Sequence, residues 1–233
     1  MRIGASIIFQ NGYCFQSYNW KLFRPLGTLN NVIRFLDRYE VDEISITRPI
    51  RSGEPKKNFI DDINKIKMTL SNSPITFGGG LRSIQHLKDI NDLPIERLHF
   101  SNAFLHRKQN VINKAINLYG KQAIVAVMPL IIQEDCLFVY DSFKESFKKL
   151  TSKTLDFVTK YADEVMIIDT LNEGQNEKFN FEILNLLPLS KDQLIITGGV
   201  GPKTIKKANN LGLSSCLIDN RVLHNENYIK AEL

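Results

Sequence analysis

The sequence predicts an α/β chain closed as a TIM, or (β/α)8, barrel built from two half-barrel repeats. Short β-branched runs alternate with amphipathic stretches along all 233 residues, the pattern of parallel strands joined by crossover helices. Eight such strands are present and no hairpin signal dominates, which suits a closed barrel. A glycine-bearing stretch beginning at Ile75 returns, roughly half the chain later, at Ile195. The return favours a duplicated half-barrel over an open doubly wound sheet.

The expected strands are Arg2–Phe9, Glu43–Thr47, Ile75–Phe77, Arg97–Ser101, Ala123–Met128, Glu164–Asp169, Leu194–Thr197 and Ser215–Ile218. Helical patterns fall between them, at Thr28–Tyr39, Ile60–Leu70, Ile84–Ile90, Gln109–Leu118, Leu150–Tyr161, Phe181–Leu187 and Lys203–Leu211. In the first of these, Leu29, Val32, Ile33 and Leu36 share one apolar face. The repeat pairs ITFGGGLRSIQHLKDINDLPIERLHFSNAFLH with IITGGVGPKTIKKANNLGLSSCLIDNRVLH. Each copy reads strand, glycine cluster, helix, strand and a polar turn closing on Leu-His, at His106 and His224. The loop Gln133–Lys149 carries Phe138, Tyr140, Phe143 and Phe147. These aromatics either close over a ligand or pack beneath one.

A single domain spanning 1–233 is expected, because barrels of this size routinely run undivided. The hydrophobic fraction of 43% supplies a core and 24% charged residues is ordinary for a water-facing chain. No apolar run approaches the roughly 20 residues of a membrane helix, and the opening MRIGASIIFQNG turns polar too soon for a secretory signal. Cys14, Cys136 and Cys216 are widely spaced and odd in number, which reads as three reduced thiols in a cytoplasmic protein without a metal site. The net charge of +5 is spread over scattered lysines rather than a stripe with interleaved aromatics. Neither a nucleic-acid nor a membrane partner is expected. The mild positive balance suits a phosphorylated small molecule.

A glycine cluster at the C-terminal end of a barrel strand lets the backbone approach a ligand closely, and successive N–H groups there bind anions. Gly78-Gly79-Gly80 with Ser101-Asn102 would form one such site, and Gly198-Gly199 with Asn220-Arg221 its mate. Glycines also make tight strand-to-helix turns, and that plainer reading stands beside the first. Two phosphate sites across one barrel mouth would hold a substrate phosphorylated at both ends.

The stretches RIGASIIFQNG, VDEISI, ITFGGGLRS, IERLHFSNA, DEVMIIDTLNEG and IITGGVG resemble the cyclase subunit of imidazole glycerol phosphate synthase. More distantly they resemble the ProFAR isomerase of histidine biosynthesis. The resemblance covers nearly the whole chain. It implies an ammonia-using lyase or cyclase that works with a glutaminase subunit on a bisphosphorylated ribonucleotide, with no cofactor. It also implies phosphate contacts at Gly79, Gly80, Ser101, Asn102, Gly174, Gly199, Asn220 and Arg221.

Against that family's pattern, its catalytic aspartate at the end of the first strand matches Ile8, and the one ending the fifth strand matches Met128. A further acid after the second strand matches Arg48, and a lysine of the first loop matches Gln16. Isoleucine and methionine exchange no protons near neutral pH, so ordinary cyclase chemistry is not expected. Asp169, Asp219 and His99 stand at strand ends as local hydrogen-bonding groups.

The family passes ammonia through the barrel's lower end, past two basic and two acidic side chains. Arg2, Glu43, Arg97 and Glu164 match them, each at the start of a strand. The set reads as an ammonia gate or as a structural salt-bridge ring, since crowded charges must pair to offset desolvation. Three functions follow. The first is a divergent cyclase-like barrel with a glutaminase-like partner, aminating an amino-sugar precursor of surface polysaccharide. The second is a phosphate sensor or scaffold without chemistry, and the third an ordinary histidine-pathway cyclase.

Overall fold

The computed structural model describes residues 1–50 and 54–219. From the N-terminus, β1 (Arg2–Gln10) runs into an antiparallel hairpin of β2 (Tyr13–Tyr18) and β3 (Leu22–Thr28). Helix α1 (Leu29–Arg38), β4 (Ile44–Thr47), α2 (Lys56–Lys67), β5 (Ile75–Gly78), α3 (Ile84–Asp89) and β6 (Arg97–Phe100) complete the first half. Two helices, α4 (Asn102–Leu105) and α5 (Gln109–Tyr119), lead into the second half. It opens with β7 (Ile124–Gln133) and a hairpin of β8 (Cys136–Asp141) and β9 (Ser146–Lys149). It continues through α6 (Ser152–Tyr161), β10 (Glu164–Asp169), α7 (Glu182–Asn185), β11 (Leu194–Thr197), α8 (Pro202–Asn210) and β12 (Ser215–Ile218).

Eight of these strands pair in parallel in the order β1, β4, β5, β6, β7, β10, β11, β12, and β12 returns to β1. The barrel is therefore closed, as the eight predicted runs require. Parallel strands covered on their outer faces by helices are buried on both sides, which explains their short, continuously apolar sequences. The predicted face of α1 is the one that packs: Leu29, Val32, Ile33 and Leu36 are all buried. Local caps fix several helix starts. The Ser83 hydroxyl accepts from His86 N at 3.4 Å ahead of α3, the Thr151 hydroxyl accepts from Thr154 N at 3.3 Å ahead of α6, and Pro202 opens α8.

The two repeat copies occupy equivalent places, β5–α3–β6 in the first half and β11–α8–β12 in the second. The expectation that hairpins are minor is corrected. Each half extends its opening strand beyond the barrel and folds it back, β1 into β2 and β7 into β8. Both turns have two residues in the left-handed region, Asn11 and Gly12 in one and Glu134 and Asp135 in the other. That is the turn whose twist matches paired strands. The aromatic loop Gln133–Lys149 is thus largely the second of these hairpins. Asn220, Arg221 and His224 lie outside the described residues.

Candidate functional site

A cavity of about 520 Å³ opens at the C-terminal ends of the barrel strands. Its floor holds Ser6 and Ile8 from β1, Thr47 at the end of β4, His99 from β6 and Val127 from β7. Trp20, in the β2–β3 turn, meets Tyr140 of β8 edge to face, with ring centroids 5.4 Å apart. The two hairpins therefore arch over the mouth and touch above it. The aromatics of the second hairpin divide between the two roles expected of them. Tyr140 lines the cavity, while Phe147 packs against it at 5.2 Å.

At one end of the cavity stand Gly79, Gly80, Ser101 and Asn102, all four of the first-half residues predicted to bind phosphate. Gly79 and Gly80 have φ of 102° and 72°, and a Cβ on Gly79 would stand 2.1 Å from the carbonyl oxygen of Arg48. Glycine is thus required for the turn itself, and the same turn bares the backbone to the cavity. The Ser142 hydroxyl donates to Asn102 Oδ1 at 3.1 Å, leaving the amide nitrogen as donor for a ligand. Arg82, which sequence reasoning passed over, lines the same end. Its guanidinium lies 5.4 Å from the Phe143 ring of the second hairpin and donates to the carbonyl of Ile50 at 3.3 Å.

The opposite end has different chemistry. Glu173 and Asp219 line it, whereas Gly174 and Gly199 do not reach the cavity. Gly174 N donates to Asp219 Oδ2 at 3.1 Å, so the chain's own carboxylate occupies that N–H. Gly199 is covered by the loop after β10: Lys178 N and Phe179 N donate to its carbonyl at 2.9 and 3.1 Å. A Cβ there would stand 2.8 Å from Phe179 N. Asp169 organises the same loop, accepting from Asn180 N and Asn172 Nδ2, each at 2.8 Å. It is a local hydrogen-bonding group, as expected.

Glu173 is 5% exposed and is held from the first hairpin, by the Ser17 hydroxyl at 3.1 Å and Trp20 N at 3.2 Å. Burial, helped by the Asp219 carboxylate, pushes its pKa from 4.5 up to about 7. The folded state therefore favours the protonated acid. The stability this supplies is complete below the ordinary value and is lost as pH rises through about 7. Between about pH 5 and pH 8, wild type should lose on the order of 3 kcal/mol relative to Glu173→Gln in urea unfolding. A difference that stays flat with pH would mean that the carboxyl ionises as it does in water. His99 shifts the other way: burial lowers it to about 4, so its imidazole is neutral at pH 7.

Ile8 and Met128, the positions matched to the family's catalytic acids, face opposite sides of the barrel wall. Ile8 does face the cavity. Met128 does not, and its assignment is corrected. It is 2% exposed within the outer core, while Val127 and Pro129 on either side line the cavity. Neither is an acid. Arg48 also turns outward and is fully buried, with Nε 3.0 Å from Asp62 Oδ2 and a second pairing to Glu54. Gln16 is buried in β2.

At the far end of the barrel, Arg2, Glu43, Arg97 and Glu164 come together as predicted. Arg2 Nε bonds Glu43 Oε1 at 3.1 Å and Arg2 Nη2 bonds Glu164 Oε1 at 2.7 Å. Arg97 bonds both carboxylates in turn, closing an alternating ring. The hydroxyls of Ser215 and Ser214 add one donor each to Glu43 and Glu164. Between ring and cavity the lumen is filled by Val125, Val127, Met166, Ile195 and Leu217.

A closed (β/α)8 barrel with a covered cleft at its C-terminal strand ends and a paired charged ring at the other defines a class, the ligand-binding barrels that carry their sites on one face. Within that class, the chain belongs to the histidine biosynthesis protein family, whose model matches residues 5–228. Over 215 residues it is 28% identical to a Campylobacter jejuni protein provisionally named imidazole glycerol phosphate synthase subunit hisF2, covering 91% of this chain and 85% of that one. A Vibrio vulnificus protein with the same provisional name is 22% identical, over 86% and 74% of the two chains. Imidazole glycerol phosphate synthase subunit HisF of Azobacteroides pseudotrichonymphae is 22% identical, over 86% and 80%. The chain is a HisF-like, divergent paralogue of the cyclase-type barrel. Among the described residues no helix is long and apolar enough to cross a membrane.

Proposed function

We propose that this barrel is the ammonia-accepting subunit of a two-component amidotransferase, and that it binds a phosphorylated small molecule in its covered cleft. A glutaminase-like partner would dock on the face that carries Arg2, Glu43, Arg97 and Glu164. The observation that carries this reading is the closed ring beneath a cleft whose lining carries no acid at Ile8, Val127 or Pro129. A barrel relieved of cyclisation still needs a partner face and a ligand end. The acceptor would be an amino-sugar precursor of surface polysaccharide, handled in the cytoplasm, rather than the ribonucleotide of histidine synthesis.

The test supplies purified protein with the bisphosphorylated ribonucleotide of the cyclase reaction and an ammonium salt, and follows the imidazole product by chromatography. Free ammonia bypasses the partner, so only the barrel's chemistry is read. No turnover is expected. A rate of about 1 per second or more, ordinary for an enzyme, would restore the histidine-pathway cyclase. A second reading, a scaffold that activates its partner without chemistry, is favoured by the same lack of an acid at Ile8, Val127 and Pro129. It predicts that glutaminase activity of the complex rises with ligand while no aminated product forms.

A further inference from the structure

His106, which closes the first repeat copy, stands one helical turn after Asn102, at the C-terminal end of α4. Its Nε2 lies 3.0 Å from Asp141 Oδ2, at the end of β8. The next residue of that hairpin, Ser142, donates to Asn102 Oδ1 at 3.1 Å. Adjacent residues of the second hairpin therefore hold both ends of α4, Ser142 at the cavity and Asp141 outside its lining. The Asp141 side chain is fully buried, and its two oxygens serve different elements. Oδ1 accepts from Phe143 N at 3.1 Å and from Lys144 N at 3.3 Å, which shapes the hairpin tip. Oδ2 accepts from Lys148 Nζ of β9 at 3.2 Å and meets His106 of α4. A tip turn needs only the first oxygen. The second ties the hairpin to the element that carries Asn102, and a carboxylate taken out of water requires such partners.

We infer that Asp141 is a positioning residue of the cleft. Through Oδ2 and His106 it holds the second hairpin against α4, so that Ser142 keeps the Asn102 amide nitrogen turned toward the ligand. This rests on the phosphate reading of the first-half end, and it makes that end depend on a residue that does not line the cavity. A donor already held in place is not ordered at the expense of binding when the ligand arrives. Electrostatics alone predicts the opposite sign. A carboxylate near an anion site repels the anion, so removing the Asp141 charge with no loss of position should tighten phosphate binding.

Trp20, the single tryptophan of the chain, lines the cavity, so its fluorescence follows a titration with inorganic phosphate. Asn102→Ala should weaken phosphate about tenfold. Asp141→Asn keeps an oxygen for Phe143 N and Lys144 N but sets an amide against Lys148, which only donates. It should weaken phosphate about fivefold although it removes a negative charge. His106→Leu should do the same, while His106→Gln, which keeps a donor near the Nε2 position, should stay within about twofold of wild type. Added to Asn102→Ala, Asp141→Asn should cost less than about twofold more, since both act through one amide. Phosphate bound by Asp141→Asn as tightly as by wild type, or more tightly, would overturn the inference, and so would losses that multiply in the double variant. Should Asp141→Asn lose its urea transition, His106→Leu decides in its place, because His106 is partly exposed. No response in wild type, or one that Asn102→Ala leaves unchanged, means that the phosphate reading fails and this inference with it. Weakening by Asn102→Ala alone spares that reading and removes only the role of Asp141.

Discussion

Replacing Glu43 by alanine should destabilise the protein by about 3–5 kcal/mol, read as a lower urea midpoint with an unchanged slope. The carboxylate is 2% exposed and sits between Arg2 and Arg97, with the Ser215 hydroxyl also donating to it. Its removal strands two guanidinium groups on Glu164 alone and leaves the Ser215 hydroxyl without its acceptor. Replacing all four charges by packed apolar groups would be far milder, because the cost lies in the partners left behind. Glu43→Gln keeps a carbonyl acceptor and should cost about 1–3 kcal/mol. A loss below about 1 kcal/mol for the alanine variant would show that the ring behaves as solvated surface pairs do. In the proposed complex the same variant should also uncouple glutamine hydrolysis from the barrel.

Asp62→Ala should be comparably severe, about 3–5 kcal/mol, and its effect should travel to the cleft. The carboxylate lies on α2 yet it organises the first hairpin, accepting from Asn11 N at 2.9 Å and Gly12 N at 2.7 Å. It also holds the fully buried Arg48 at 3.0 Å. With alanine there, the two turn N–H groups lose their acceptor and Arg48 keeps Glu54 as its remaining carboxylate. Hydrogen exchange should quicken at Asn11 and Gly12 and along β2, ahead of global unfolding. Since β2 and its turn carry Ser17 and Trp20, ligand affinity should fall as well. An unchanged midpoint with unchanged exchange at the turn would show that the hairpin is held by its strand pairing alone.

The barrel was legible because its strands are short, doubly buried and β-branched, and because each is followed by an apolar helical face such as Leu29, Val32, Ile33 and Leu36. The hairpins were less so. Asn11-Gly12 is a strong two-residue turn signal, but Glu134-Asp135 places two non-glycine residues at positive φ and resembles an ordinary charged loop. The same uniformity that marked β7 as a buried strand hid its faces. From Val125 to Met128 every residue is apolar, so nothing in the sequence tells inward from outward, and a shift of one residue exchanges them. Met128 therefore reads as a site position in the sequence, although its neighbours Val127 and Pro129 are the ones that line the cavity. Gly79, Gly80, Ser101 and Asn102 could be read locally, since each follows its strand directly. The roles of Arg82 and Glu173 could not, because each depends on a hairpin distant in sequence, Phe143 for one and Ser17 with Trp20 for the other.

The placement of one hairpin after the opening strand of each half has a consequence for how such a protein can change. Each arm packs on its own part of the cavity lining, the first bonding Glu173 and the second meeting Asn102 and Arg82. The arms join over the mouth only through Trp20 and Tyr140 among the ring contacts of the described residues. Exchanging one arm between relatives should therefore reshape one part of the cavity lining while the other part and the barrel wall stay as they are. The duplication that built the wall also left two separately replaceable handles on selectivity.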